Sequence, residues 1–456
     1  MNADLRKRPP EPLAPIPFEI SKPFEATLSN GLRVVIFENE RLPLVSYRLS
    51  FFTGDIDESE DGHGLMSAMA LLLTEGTENY SSQQLAEKIE RLGAGLSART
   101  SFDFTTISAS SLSFYTSAIF EMLAEVILKP TFPENEVDLY KRNLLENLKF
   151  QRSQPPFLAS EQAARLIYGK HPYSQVSLRP NEVESIDREK LLRTHRQALI
   201  PNNAVMLIVG DVRREEVIKE LEQHLNGWQA GMKPVRNFAE IPTRTARTCT
   251  VVDRPGSSQS NIVIANSGFS RLSPDYFPAL VMNQVLGAGA SSRVFMNLRE
   301  EKGYTYGAYT RMDARALAGD IEATAEVCND VTGASISEFL KEFDRIRNEK
   351  VGPDELADAQ NFLTGVFPIR AETQEGLTTL LLNRELYGLP EDYLQTYRDK
   401  VSSVTADEVQ DAARKYIRPD EMAIIVVGDA KSVLPQIEEF ASAVEVFDTD
   451  GKRISD

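Results

Sequence analysis

PNNAVMLIVGDVRREEV, residues 201–217, and PDEMAIIVVGDAKSVLP, residues 419–435, are two copies of one pattern. Each starts at a proline, runs through an apolar stretch rich in β-formers, and turns at Gly-Asp. An unbroken apolar run bounded by turn residues reads as a buried strand. The first copy continues into EEVIKELEQHL, which sets Val217, Ile218, Leu221 and His224 at helical spacing. The lag from Pro201 to Pro419 is 218 residues, and Gly210 to Gly428 repeats it. Upstream, SIDREKL from Ser185 matches SVTADEV from Ser403 at the same lag, and PENEVDLYKRNLLENL resembles PDELADAQNFLTGVF at nearly that lag. Chance supplies one such match, but not several in order. The chain therefore reads as two homologous halves of about 220 residues each.

The first half opens with strands. PFEATL, the Asn30-Gly31 turn and LRVVIFE form a hairpin pattern, and LVSYRLSFFTG is a third strand. Leu65 to Leu73 is an apolar helix, and QQLAEKIERLGA is a polar one stopped at Gly93. GLSARTSFDFTTISASSL supplies two more strands. SAIFEMLAEVIL and NEVDLYKRNLLENLKFQR are long helices, and SIDREKLLRTHRQAL is a helix capped by Ser185 or Asp187, with Leu191, Leu192 and Ala198 apolar. Hairpins with segregated helices predict an α+β fold of two homologous domains. Each is a mostly antiparallel sheet of about six strands, flanked by helices. The expected boundaries are a proline-rich arm over 1–22, domains over 23–226 and 248–456, and an aperiodic linker over 227–247.

Acidic residues outnumber basic ones, 67 to 50, for a formal charge of −17. Nucleic-acid binding needs clustered cations, and the chain offers only Arg6-Lys7-Arg8, read as a solvated tail. The acidic balance favours solubility or neutral-to-basic peptide partners. Cys249 and Cys328 show no metal or disulfide spacing and are expected to be buried small hydrophobes. No stretch approaches the roughly 20 apolar residues of a membrane span. The absence of a leader points to the cytoplasm, and removal of one before residue 1 would point to the periplasm.

The order of these elements, with NGLRVV at Asn30, EGT at Glu75, IERLGAGLSARTS from Ile89, KPTFPENEV from Lys129, HPYS at His171 and LREEKGYTYG from Leu298, resembles the insulinase/pitrilysin-type peptidases. That family includes mitochondrial processing peptidase and its non-catalytic subunits. The likeness runs from about Pro23 to Phe440. Active members carry H-x-x-E-H on the first long helix and a distant Glu as third zinc ligand. Zinc then lowers the pKa of its water to about 7 and polarises the scissile carbonyl. Counted back from Glu75, the histidine positions are Ser67 and Leu71, and the base position is Ala70. The third-ligand position falls at or next to Asn147, beside Glu146. None of these can serve. The chain's four histidines, His63, His171, His195 and His224, contain no pair at ligand spacing on a helix. His171 reads as a turn-packing residue and His195 as a packed or half-exposed one.

One pair of polar residues fits a different role. Arg299 sits near the end of a helix read through Phe295 and Leu298 to Gly303, and Tyr306 lies in the strand that follows. Both are hydrogen-bond donors suited to an oxyanion. From the residues alone Arg299 also reads as a helix C-terminal charge and the tyrosines as strand packing. Alternation does not choose Tyr306 over Tyr304. The family resemblance does, and it implies that Arg299 and Tyr306 reach the substrate near a zinc. Gly287 to Ser292 lacks the lysine and strand context of a phosphate loop and reads as a tight turn. Ser97, Ala98, Arg99 and Thr100 sit where family members add a substrate strand, or form an ordinary sheet edge.

The resemblance thus implies a zinc-less subunit of a heterodimeric metallopeptidase. Alone it would hydrolyse no peptide. A partner bearing H-x-x-E-H would supply zinc, no cofactor binding in this chain, and the substrate would be an unfolded or extended peptide. The alternatives are a non-enzymatic scaffold or core subunit, and a peptide-binding homodimer.

Overall fold

The computed structural model of the protein describes residues 19–59 and 62–455. The Arg6-Lys7-Arg8 triplet and most of the expected arm lie outside the described residues. Thirteen strands and sixteen α-helices follow one another through them. The first half contains β1 (Phe24–Thr27), β2 (Arg33–Glu38), β3 (Leu44–Phe51), α1 (Leu65–Leu72), α2 (Ser82–Arg91), β4 (Gly95–Thr100) and β5 (Thr105–Leu112). Then come α3 (Thr116–Leu128), α4 (Glu134–Arg152), α5 (Pro155–Tyr168), α6 (Pro180–Glu184), α7 (Arg188–Ala198), β6 (Ala204–Gly210) and α8 (Arg214–Leu225). No helix or strand lies between Leu225 and Thr248. The second half contains β7 (Thr248–Asp253), β8 (Gln259–Ser267), α9 (Tyr276–Leu286), α10 (Arg293–Phe295), β9 (Thr305–Ala314) and β10 (Gly319–Cys328). It closes with α11 (Thr332–Asn348), α12 (Pro353–Glu372), α13 (Gln374–Leu386), α14 (Tyr393–Ser402), α15 (Ala406–Tyr416), β11 (Ala423–Gly428), α16 (Ala430–Ile437), β12 (Val444–Phe447) and β13 (Arg453–Ser455).

The fold is α+β, as the sequence predicts. The first sheet runs β1-β2-β6-β3-β5-β4 and the second β13-β12-β7-β11-β8-β10-β9. Five strands repeat between them with identical pairing. β2 lies parallel to β6 as β7 lies parallel to β11, and the remaining pairs of each set are antiparallel. The duplicated apolar runs become β6 and β11, every residue of which is buried.

The lack of alternation in those runs has a specific cause. In β11, Ile424 and Val426 face the helices of their own half, while Ala423, Ile425 and Val427 pack against Leu158, Ala159 and Ala163 of α5 from the first half. In β6, Met206 and Ile208 face their own half, while Val205, Leu207 and Val209 pack against Leu377 and Leu381 of α13 from the second. Each half thus lends a helix to the outer face of the other half's sheet. The period of two in a strand is present, but both faces are dry, so the sequence shows only an apolar run.

Local chemistry sets the element ends. Ser81 accepts from Gln84 N and starts α2 with a capping box. Asp187 rather than Ser185 caps α7, accepting from Lys190 N at 2.8 Å. His171 is buried and its Nδ1 accepts from Tyr173 N at 3.2 Å, stabilising a turn. His195 is buried, its Nε2 is 2.9 Å from the Ile127 carbonyl, and burial pushes it down to about 4. One expectation fails. Cys249 is buried, but Cys328 is exposed. It ends β10 one residue beyond buried Val327, so alternation turns it outward.

Candidate functional site

Ser67 and Leu71 share one face of α1, because residues four apart on a helix stack along one side. Ser67 Oγ donates to Asp55 Oδ1 at 3.2 Å. Leu71 is 50% exposed and Ala70 is fully buried. The face that two imidazoles would occupy therefore carries a hydroxyl and a bare isobutyl group. Asn147 is exposed on α4, and its neighbour Glu146 pairs with Lys149 at 2.7 Å. The donor set does not fit zinc.

An acid pair lies beside this face, Glu58 with its side chain buried and Asp55 half-buried, and the sequence reading missed it. Glu58 accepts from Gly64 N at 2.9 Å and Met66 N at 2.6 Å, closing the start of α1. Burial pushes Glu58 up to about 8, with further repulsion from Asp55 and Glu182, against the pull of the two N–H groups. Burial pushes Asp55 up to about 6, opposed by the Ser67 hydroxyl. Tyr140 of α4 is pushed up to about 12 by burial and then by both acids. His63 Nδ1 stands 3.9 Å from Glu58 Oε2. The acidic run DIDE ahead of an apolar helix was the available signal, since helix starts attract carboxylates.

Arg299 lies in a single π-helical turn, Met296–Glu301, that continues α10. Gly303 N donates to Arg299 O at 3.2 Å and Tyr304 N to Leu298 O at 2.9 Å, folding the chain back into β9. The strand begins at Thr305, so Tyr304 precedes it and does not share its face with Tyr306. Opposite β10, the register slips by one residue between Ala325 and Val327, leaving Tyr306 and Gly307 to face Glu326. A bulge of this kind re-aims a side chain. Tyr306 emerges 93% exposed.

A column of rings ties the pair together. The Arg299 guanidinium lies 4.9 Å from the Phe295 ring, and that ring packs on Tyr309 at 5.5 Å. The Tyr309 ring lies over Gly307, where an added Cβ would come within 2.6 Å of it. Arg299 is thus anchored to the strand that carries Tyr306. Its other contact is Glu300 at 3.5 Å, both side chains about half exposed. The preceding segment, Gly287 to Ser292, is a tight turn in which Gly287 abuts Thr310.

Ser97, Ala98, Arg99 and Thr100 lie in β4, which ends the first sheet. Ala98 is buried and Ser97 and Arg99 are exposed. Thr100 Oγ1 donates to Met66 O at 3.2 Å, holding the strand against α1. β9, which carries Tyr306, ends the second sheet in the corresponding place.

Residues 33–181 match the family described as Insulinase (Peptidase family M16), and residues 185–363 match the Peptidase M16 inactive domain. A Helicobacter pylori protein named non-peptidase homolog YmxG is 23% identical over 401 residues, covering 87% of this chain and 92% of its own. The crystal structure of a peptidase M16 inactive domain from Pseudomonas fluorescens is similar at a TM-score of 0.82 and 25% identity, covering 90% of this chain and 98% of that one. A protease from Helicobacter pylori gives 0.84 at 17% identity, covering 90% and 100%. Among the described residues, no helix is long and apolar enough to cross a membrane.

Proposed function

Because the chain belongs to the insulinase family, peptidase M16, and its first helix lacks the family's metal-binding set, we propose that it completes the active site of a second, zinc-bearing subunit. The partner carries H-x-x-E-H, the zinc and the base. This chain contributes Arg299 and Tyr306 as donors to the oxyanion formed during peptide hydrolysis. Zinc in the partner polarises the carbonyl and supplies the nucleophilic water. The substrate is an extended peptide, and the β4 edge offers it a row of backbone groups to pair with.

The observation that carries this reading is the Arg299–Phe295–Tyr309–Gly307 column, with Tyr306 turned outward beside it. The ring stack holds the cation in place and the bulge turns the phenol outward, where an extended substrate would meet both. The arginine fork and the phenol are preorganised donors, each worth about 10²–10³ in kcat.

The experiment mixes this chain with an H-x-x-E-H subunit and measures cleavage of a quenched fluorescent peptide. Arg299→Ala and Tyr306→Phe each lower kcat of the mixture by about 10²-fold or more, with heterodimer formation intact. Unchanged kcat in both variants removes the active-site role. Stable assembly without proteolysis in any mixture favours the scaffold alternative.

A further inference from the structure

A cavity of about 300 Å³ lies in the second half, between α9, β9 and α12–α14, far from the Arg299 end of β9. From Tyr306 to Met312, which lines it, is six strand residues, or about 20 Å. Four tyrosines enter its wall: Tyr276, Tyr387, Tyr393 and Tyr397. So do two arginines, Arg271 and Arg370, and no carboxylate does.

The wall is built, not incidental. The Arg271 guanidinium stacks 3.6 Å from the Tyr276 ring, and its Nη2 donates to Tyr393 Oη at 2.5 Å. Tyr397 is stacked on Phe367 at 4.2 Å, and Tyr387 is braced edge-on by Phe104 of the first half at 5.4 Å. Burial holds the Tyr387 and Tyr393 hydroxyls up to about 12, so both are protonated donors at neutral pH.

Among the described residues neither Arg271 nor Arg370 has an ion-pair partner. The two acids whose charge acts on Tyr387, Asp103 and Asp313, are already engaged. Asp103 accepts from Tyr173 and Ala316 N, and Asp313 pairs with Arg311 and Arg315. Two guanidiniums bordering one cavity favour a shared anion, and a planar fork matches a carboxylate. The ring faces favour a flat apolar body behind it. The size agrees, since a cavity of about 150 Å³ holds benzene and this one is twice that.

We propose that this cavity binds a carboxylate carried on an aromatic or flat apolar body. The anion sits between Arg271 and Arg370, and the body lies among the tyrosine rings. The same chemistry belongs to a free aromatic acid and to the C-terminal aromatic residue of a peptide. The site is independent of the oxyanion role proposed for Arg299 and Tyr306, so the full-length chain is tested alone.

Titration calorimetry compares phenylacetate with phenylacetamide, and N-acetylphenylalanine with a short peptide ending in phenylalanine, as acid and as amide. Each acid is expected to bind at least about ten-fold more tightly than its amide, the worth of one charge-assisted bond. Arg370→Gln, at an exposed position that leaves the fold unburdened, should lower that preference several-fold while amide binding stays constant. Binding by the peptide acid alone assigns the site to chain termini, and binding by both acids to the shared group. Equal binding of acid and amide, an intact preference in Arg370→Gln, or inorganic phosphate binding as tightly as phenylacetate overturns the proposal.

Discussion

Replacing Glu58 by glutamine removes a buried carboxyl that holds its proton in the folded chain after the unfolded chain has released it. The ordinary value of 4.5 rises to about 8 on folding, chiefly through burial, with Asp55 and Glu182 adding repulsion. His63 stands near, and Tyr140 shares the acids' field. Between those limits the native state binds more protons than the unfolded state, so stability falls as pH rises. The stabilising contribution is fully present below pH 4.5 and lost as pH climbs through about 8. At 1.36 kcal/mol per pH unit, the loss is about 5 kcal/mol. Glutamine does not titrate. It satisfies Gly64 N and Met66 N less completely and costs about 1 kcal/mol at acid pH. Above pH 8 the variant should therefore be the more stable protein. Trp228 reports the event. It is the chain's single tryptophan, buried, its Nε1 donating to Leu199 O at 2.9 Å in the core that also holds α1. Urea titrations followed by its fluorescence, at about pH 5, 7 and 9, give the difference directly. If the two proteins' midpoints move in parallel across that range, Glu58 is ionised when folded, and the argument from burial is wrong.

Other outcomes follow from the same geometry. Phe295→Leu removes the ring beneath Arg299, and should lower kcat of the reconstituted mixture about two- to five-fold, the worth of an exposed cation–π contact. The effect should vanish in an Arg299→Ala background, and an equal loss there would assign it to general packing. Gly287→Ala drives a methyl to within 2.4 Å of Thr310 N and should cost about 1–3 kcal/mol, seen as a lowered Tm by circular dichroism. An unchanged Tm would show that β9 yields freely there. Native protein should expose one thiol to a disulfide reagent and denatured protein two, because Cys328 is exposed while burial pushes Cys249 up to about 11. Two fast thiols in the native state would contradict the packing around β7.

Much of the fold is legible in the residues. The 218-residue lag announces the duplication, and the strands of the first half fall where alternation and turn residues put them. The missing zinc set is legible too, because ligand chemistry depends on residue type and Ser67, Ala70 and Leu71 cannot supply it. Glu58 was overlooked because an acidic loop looks like ordinary solvated surface until a helix start is folded onto it. The bulge at Tyr306 escaped notice because its cause, the one-residue slip against β10, lies in another strand.

The sequence by itself determined the strands and most helices of the first half, that the pattern comes twice, and which metal ligands the first helix does not carry. Only the tertiary structure decided that α5 covers the second sheet and α13 the first, and that arginines and tyrosines from separate helices meet around one cavity. The reason is physical. Periodicity records that a face must leave water, but burial of apolar area is non-directional and names no partner for it.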